Sequence, residues 1–234
     1  MTDAAAHGVL SGVLFDLDGT LVDTAPDLVA ALNLSLHEHG FAKVSLAQMR
    51  HVASHGSMAL VRAGAPGITD AEALMLQQAL LRHYHQVNGN HATLFDGVAA
   101  LLDGLAAKGI PWGIVTNKAA RYARPLINKL GLTSARTVSR ANKGNYFCQS
   151  LISGDSVTRG KPDAAPLLLA ASQIGCMPSR IFYLGDARRD MESARAAGMV
   201  SVLASWGYLD GDEVTNWPVD LRLERADELL SHLA

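Results

Sequence analysis

This chain lacks an excess of charge of either sign: 20 Lys and Arg stand against 22 Asp and Glu in 234 residues, a formal net charge of −2. That balance offers no general attraction to nucleic acid or to an anionic membrane. Cysteine is scarce too. Cys148 and Cys176 make no disulfide framework, and residues 1–12 lack a basic segment followed by a long apolar one, so a cytoplasmic protein is expected. No apolar run approaches the roughly 18 residues that a membrane-spanning helix needs, and no repeat or low-complexity segment is seen. What is there is a chain with 49% hydrophobic and 18% charged residues, able to bury one large core or two small ones. A small-molecule partner fits this composition, on either a monomer or a homodimer.

Short apolar runs at Val13-Leu14-Phe15, Gly113-Ile114-Val115, Leu151-Ile152, Ile181-Phe182-Tyr183-Leu184, Val200-Ser201-Val202-Leu203 and, more weakly, Asp220-Leu221-Arg222-Leu223 predict buried strands. Helical spacing at 164–174 and 188–197 separates some of them. The alternation predicts an α/β fold with a parallel sheet and crossover helices. About ninety residues separate the first two runs, too many for one crossover, and they carry helical patterns at 26–39, 57–62 and 70–84. The reading is a core of residues 1–22 and 92–234 interrupted by a small helical domain at 23–91. Pro26, after Thr24, suits a first-turn position there.

Ligands of parallel α/β sheets bind beyond the carboxyl ends of the strands. Here those ends carry Asp16-Leu17-Asp18-Gly19-Thr20, then Thr116-Asn117, then Gly160-Lys161-Pro162-Asp163 opening a helix, then Gly185-Asp186 with Asp190 four residues on. Singly, an Asp after a strand is commonly a helix cap and a Lys in a loop is commonly solvated. Gathered at one edge, carboxylates repel unless a cation or proton lies between them. Oxygen-rich carboxylate sites suit Mg²⁺, whose coordination a phosphate often completes. An Asp nucleophile divides phosphoester hydrolysis into two easier steps through an acyl phosphate, and positioning and charge neutralisation supply most of the remaining acceleration.

Those four segments resemble the motifs of the haloacid dehalogenase superfamily, and the likeness spans most of the chain. It implies a Rossmann-like three-layer core with an inserted helical cap. It further implies Asp16 as nucleophile and Asp18 as the acid that protonates the leaving alcohol and then the base that activates water. Thr116 and the backbone N–H of Asn117 would hold the phosphate beside Gly19 and Thr20, and Lys161 would neutralise nucleophile and phosphate. Mg²⁺ would sit on Asp16, the Asp18 carbonyl oxygen and Asp186, with Asp190 in support. Dehalogenases of this kind lack the second aspartate, so the presence of Asp18 favours a phosphatase. Thr20 argues against the sugar-phosphate mutases, and Lys43, the one cap lysine, sits in a polar stretch unsuited to the Schiff base of a phosphonatase.

Within the phosphatases, residues 21–32 resemble phosphoglycolate phosphatases. Ser54-His55-Gly56-Ser57, Trp206-Gly207-Tyr208 and Asn216-Trp217 are similar to a subgroup acting on N-acetylmuramic acid 6-phosphate. The substrate is therefore expected to be 2-phosphoglycolate or a similar small ester, with the muramic acid derivative as the alternative. His55, Ser57 and Arg62 are candidates for reading its non-phosphate part; Arg62 suits a carboxylate. A phospho-aspartate receiver or a mere phosphate-binding module is the competing class. A receiver is about half this length and orders its aspartates differently, and an inactive module would lack the nucleophile or the lysine.

Residues 136–149, with Arg140, Lys143 and Tyr146, form a polar stretch longer than the family pattern, read as a loop, a dimer contact or a lid edge. Residues 154–161 miss the spacing of a phosphate-binding loop. His51 and His55 have zinc-like spacing but no third ligand, so structural or substrate roles are expected.

Overall fold

Every residue of Gly12–Phe15 (β1) is buried, as the central strand of a parallel sheet covered on both faces must be. The computed structural model describes residues 10–133, 146–209 and 214–233. From β1 the chain makes a short strand Val22–Asp23 (β2) and then helices Ala25–Glu38 (α1), Leu46–Met49 (α2), Ser57–Gly64 (α3) and Asp70–Val87 (α4). It returns through Thr93–Leu94 (β3), which pairs antiparallel with β2. There follow Val98–Lys108 (α5), Trp112–Val115 (β4), Ala120–Lys129 (α6), Leu132–Thr133 (β5), Tyr146–Phe147 (β6) and Ser150–Ile152 (β7). Ala165–Ile174 (α7), Ile181–Gly185 (β8), Arg188–Ala197 (α8), Val200–Ala204 (β9) and Leu221–Leu223 (β10) complete the core.

The main sheet has the order β10-β9-β8-β1-β4-β7, and every pairing in it is parallel. Strand alternation divides its side chains between two layers. Val13 and Phe15 pack with Leu101, Leu105 and Leu126 from α5 and α6, while Leu14 on the opposite face packs with Leu167, Ala171 and Ala194 from α7 and α8. The result is the three-layer α/β core expected from the sequence.

Helices α1 to α4 have their own core, in which Leu32, Leu36, Leu60, Leu76 and Leu80 are fully buried. The strand-and-helix crossover of a parallel sheet would not need this second core, and its presence makes the insertion a helical cap. Asp27, fully buried on α1, fixes the return of the chain: its carboxylate accepts N–H bonds from Gly89, His91 and Ala92 at 2.7, 2.9 and 3.2 Å. Pro26 does lie in the first turn of α1, but Thr24 makes no side-chain cap bond. Its hydroxyl turns to Asp18 instead, at 2.5 Å.

Before β7 the sequence pattern is interrupted, and the reason is local. β5 and β6 form a separate parallel pair, Cys148 is buried, and the Gln149 side chain accepts the backbone N–H of Trp112 at 2.9 Å. Of the polar stretch at 136–149, Arg140 and Lys143 lie outside the described residues. Among the described residues, no helix is long and apolar enough to cross a membrane.

Candidate active site

Asp16 follows β1 at the centre of the sheet, where its backbone N–H still bonds Leu184 of β8 at 2.8 Å. Its Oδ1 accepts from the Leu17 N–H at 2.7 Å and faces the Lys161 Nζ at 2.8 Å. That ammonium is sealed in: it also lies 2.7 Å from Asp190 Oδ1 and donates to the Val115 carbonyl and the Tyr183 hydroxyl at 3.0 and 2.8 Å. The loop bearing Lys161 is held by Asn117, whose side chain accepts the Lys161 N–H at 2.9 Å and donates to the Lys161 carbonyl at 3.0 Å. Asn117 therefore spends its side chain on the loop, and its backbone N–H is what remains for a ligand.

Asp186, at the end of β8, is wedged between two glycines. A Cβ on Gly19, whose φ is +85°, would fall 2.1 Å from Asp186 Oδ2, and one on Gly207 would fall 2.3 Å from the Asp186 Cβ. Glycine is required at both places by close approach, and at Gly19 also by conformation. Three hydrogen bonds orient the carboxylate: from the Thr20 hydroxyl at 3.1 Å, the Ser54 hydroxyl at 2.8 Å and the Tyr208 N–H at 3.0 Å. Thr20 thus positions Asp186.

Oxygen atoms of the buried Asp16, Asp186 and Asp190 can be chosen within 4.8 Å of one another. Burial and the charges of Asp16 and Asp190 push the Asp186 carboxyl up to about 7, and burial, opposed by Lys161 and reinforced by Asp190, raises Asp16 as well. Lys161 and Arg189 together do not neutralise three buried carboxylates, so this donor set fits a bound cation. Asp190 already gives Oδ1 to Lys161 and Tyr183 and Oδ2 to the Ala187 N–H, placing it behind the other two. The Asp18 carboxylate does not join the group; its Oδ1 accepts from Thr24 and from Lys118 at 2.8 Å.

Asp16, Asp18, Thr116 and Asn117 line a cavity of about 440 Å³ that continues under the cap past Ser54, His55 and Ser57. Lys161 and Asp186 stand just behind that wall. Arg62 does not reach it. Five residues beyond Ser57 on α3, it is turned about 140° around the helix and pairs with Asp70 at 2.5 Å, with both side chains exposed.

Sequence reasoning passed over Lys118, Tyr183 and Arg189. Lys118 follows Thr116-Asn117 directly and is a buried ammonium between Asp18 and the face of Tyr84, 4.7 Å from its ring centre. Burial works against its charge, but Asp18 and Tyr84 outweigh it and raise the pKa. Arg189, within the Asp186 to Asp190 motif, lines the cavity and donates to the Ser54 carbonyl at 2.8 Å, joining cap to core. Both residues sit inside motifs whose other members were recognised, and that adjacency was the available signal. Tyr183 looked like a strand residue, and nothing in the sequence marks its hydroxyl as a partner of Lys161.

Residues 13–204 match the haloacid dehalogenase-like hydrolase family. The phosphoglycolate phosphatase of Xanthomonas campestris pv. campestris is 40% identical over 218 residues, covering 93% of each chain. The N-acetylmuramic acid 6-phosphate phosphatase of Pseudomonas aeruginosa is 37% identical over 226 residues, covering 96% of this chain and 95% of that one. A solved structure described as a predicted phosphoglycolate phosphatase from Haemophilus somnus superposes with a TM-score of 0.78 at 22% identity, covering 96% and 98% of the two chains, and so shares the fold. With motif, fold and relatives in agreement, this chain belongs to the haloacid dehalogenase-like hydrolases.

Proposed function

We propose that this phosphatase hydrolyses a small phosphate monoester with Mg²⁺, by way of a phosphoryl group carried on Asp16. The observation that carries the reading is the Asp16 carboxylate at the wall of the cavity, with its Oδ1 held by Lys161 and the Leu17 N–H. Those contacts orient the group and leave Oδ2 to attack phosphorus. Asp16, Asp186 and the Asp18 carbonyl oxygen would hold Mg²⁺, and Asp190 would fix Lys161 behind them. When bound, the ion would offset the charge of the substrate phosphate among the carboxylates.

The Thr116 hydroxyl oxygen accepts the Lys118 N–H at 3.2 Å, so its proton is available to a phosphate oxygen, as is the backbone N–H of Asn117. Asp18, with Oδ1 fixed by Thr24 and Lys118, would deliver a proton from Oδ2 to the leaving oxygen. The same atom would then take a proton from the water that releases the phosphoryl group. Residues 23–91 would act as the cap that excludes bulk water from this step, with Ser54 bridging to Asp186.

The relatives name two substrates, 2-phosphoglycolate and N-acetylmuramic acid 6-phosphate. The second is favoured by the extension of the cavity beneath the cap, where His55 and Ser57 line it and would meet the part of a substrate that is not phosphate. Release of inorganic phosphate from both compounds, from hexose phosphates and from nucleoside monophosphates, with Mg²⁺ and with chelator, tests the reading. Turnover that requires the metal supports it, and equal turnover in rigorously metal-free buffer would remove the metal from the account.

A further inference from the structure

Among the described residues, two buried side-chain polar atoms have no hydrogen-bond partner, and one is the hydroxyl oxygen of Tyr84. Its charged neighbour is the Lys118 ammonium, which already donates to Asp18 at 2.8 Å, so the hydroxyl keeps bonding capacity for a ligand. Tyr84 lies on α4 of the cap, is 1% exposed, and lines the cavity that Asp16 and Asp18 enter from the core. Its ring packs 5.5 Å from that of Tyr122 on α6. Leu28, Leu81 and Ala119 extend this wall, and Arg121 lies over the Tyr122 ring at 4.8 Å.

Chemistry narrows what can occupy the space: a two-carbon acid has one methylene to set against two tyrosines, two leucines and an alanine, leaving that wall wet. A sugar ring offers C–H faces to the aromatic pair and hydroxyls to the polar groups. Burial pushes the Tyr84 phenol up to about 12, so the group stays a neutral O–H able to donate or accept.

We infer that Tyr84 is a specificity residue whose hydroxyl bonds a substrate hydroxyl or ring oxygen, and that the site takes the phosphate ester of a hexose-sized, hydroxylated ring. The inference rests on the phosphatase reading and narrows its substrate class.

The test compares wild type with Tyr84→Phe on glucose 6-phosphate, N-acetylglucosamine 6-phosphate, 2-phosphoglycolate and p-nitrophenyl phosphate, with Mg²⁺. Phenylalanine keeps the ring that faces Lys118 and Tyr122 and removes the hydroxyl alone. The wild type should have higher kcat/KM for the sugar phosphates than for 2-phosphoglycolate. The variant should lose about tenfold more on the sugar phosphates than on the other two esters. An equal loss on all four esters, or no loss on any, would overturn the specificity role. A wild-type preference for 2-phosphoglycolate would overturn the substrate class and leave the phosphatase reading intact. No release from any ester would overturn the phosphatase reading, and the inference with it.

Discussion

The Lys161 ammonium stands 2.8 Å from the Asp16 carboxylate, and both side chains are shut off from solvent. Removing one partner of a buried ion pair leaves the other uncompensated, at a cost of about 3–5 kcal/mol. Lys161 also separates Asp16 from Asp190. Lys161→Met is therefore expected to abolish phosphate release and to lower the denaturation midpoint sharply in metal-free buffer. Added Mg²⁺ should recover part of the stability and none of the activity.

Asp186 connects metal and pH. Its carboxyl rises from an ordinary 3.8 to about 7 in the fold because of burial and the neighbouring Asp16 and Asp190. A raised acid pKa means the folded state binds the proton more tightly than the unfolded state does. The stability it contributes is thus full below about pH 4 and is lost as pH rises through about 7. At about 1.4 kcal/mol per unit, the loss is on the order of 4 kcal/mol. Thermal melts of metal-free protein should show this component falling between pH 4 and pH 8, and Mg²⁺ should raise the melting temperature more at pH 8 than at pH 5. An equal shift at both would contradict the placement of the ion at these carboxylates.

Gly19→Ala tests the wedge around Asp186. The new Cβ would meet Asp186 Oδ2 at 2.1 Å in a backbone with φ of +85°. The carboxylate must move, and a displacement near 1 Å can cost on the order of 100-fold in rate. The expected signature is a fall in kcat with weakened Mg²⁺ dependence, measured by metal titration of activity, with the helical content unchanged.

Asp27→Ala should act on stability first. Three backbone N–H groups at the end of the cap would lose their acceptor, at about 3 kcal/mol or more. For a chain of this size that is a drop of roughly 6–12 °C in melting temperature. Differential scanning calorimetry checks it.

The core was readable because its strands are buried on both faces and so appear as unbroken apolar runs. Asp16, Asp18 and Asp186 were read from their places just after such runs, whereas Lys161, nine residues beyond Ile152, was read from Gly160-Lys161-Pro162 ahead of a helix. The cap side of the site was harder, since helix spacing does not say which face meets the cavity. Ser57 and Arg62 looked equivalent in sequence, but the turn of α3 puts one at the cavity and the other beside Asp70. Tyr84 looked like an apolar position of α4, and only the packing shows that its hydroxyl has no partner. The division of labour at Asn117, side chain to the lysine loop and N–H to the ligand side, also depends on a contact 44 residues away in the chain.

The central claim is that the phosphoryl group passes through Asp16. The most direct measurement is a single turnover with enzyme in excess of substrate and Mg²⁺ present, stopped in acid at successive times and followed by peptide mass spectrometry. The account predicts a phosphoryl group that appears on the Asp16 peptide and disappears as inorganic phosphate is released. Phosphate released in one phase with that peptide unmodified throughout, or a phosphoryl group on another residue, would contradict it.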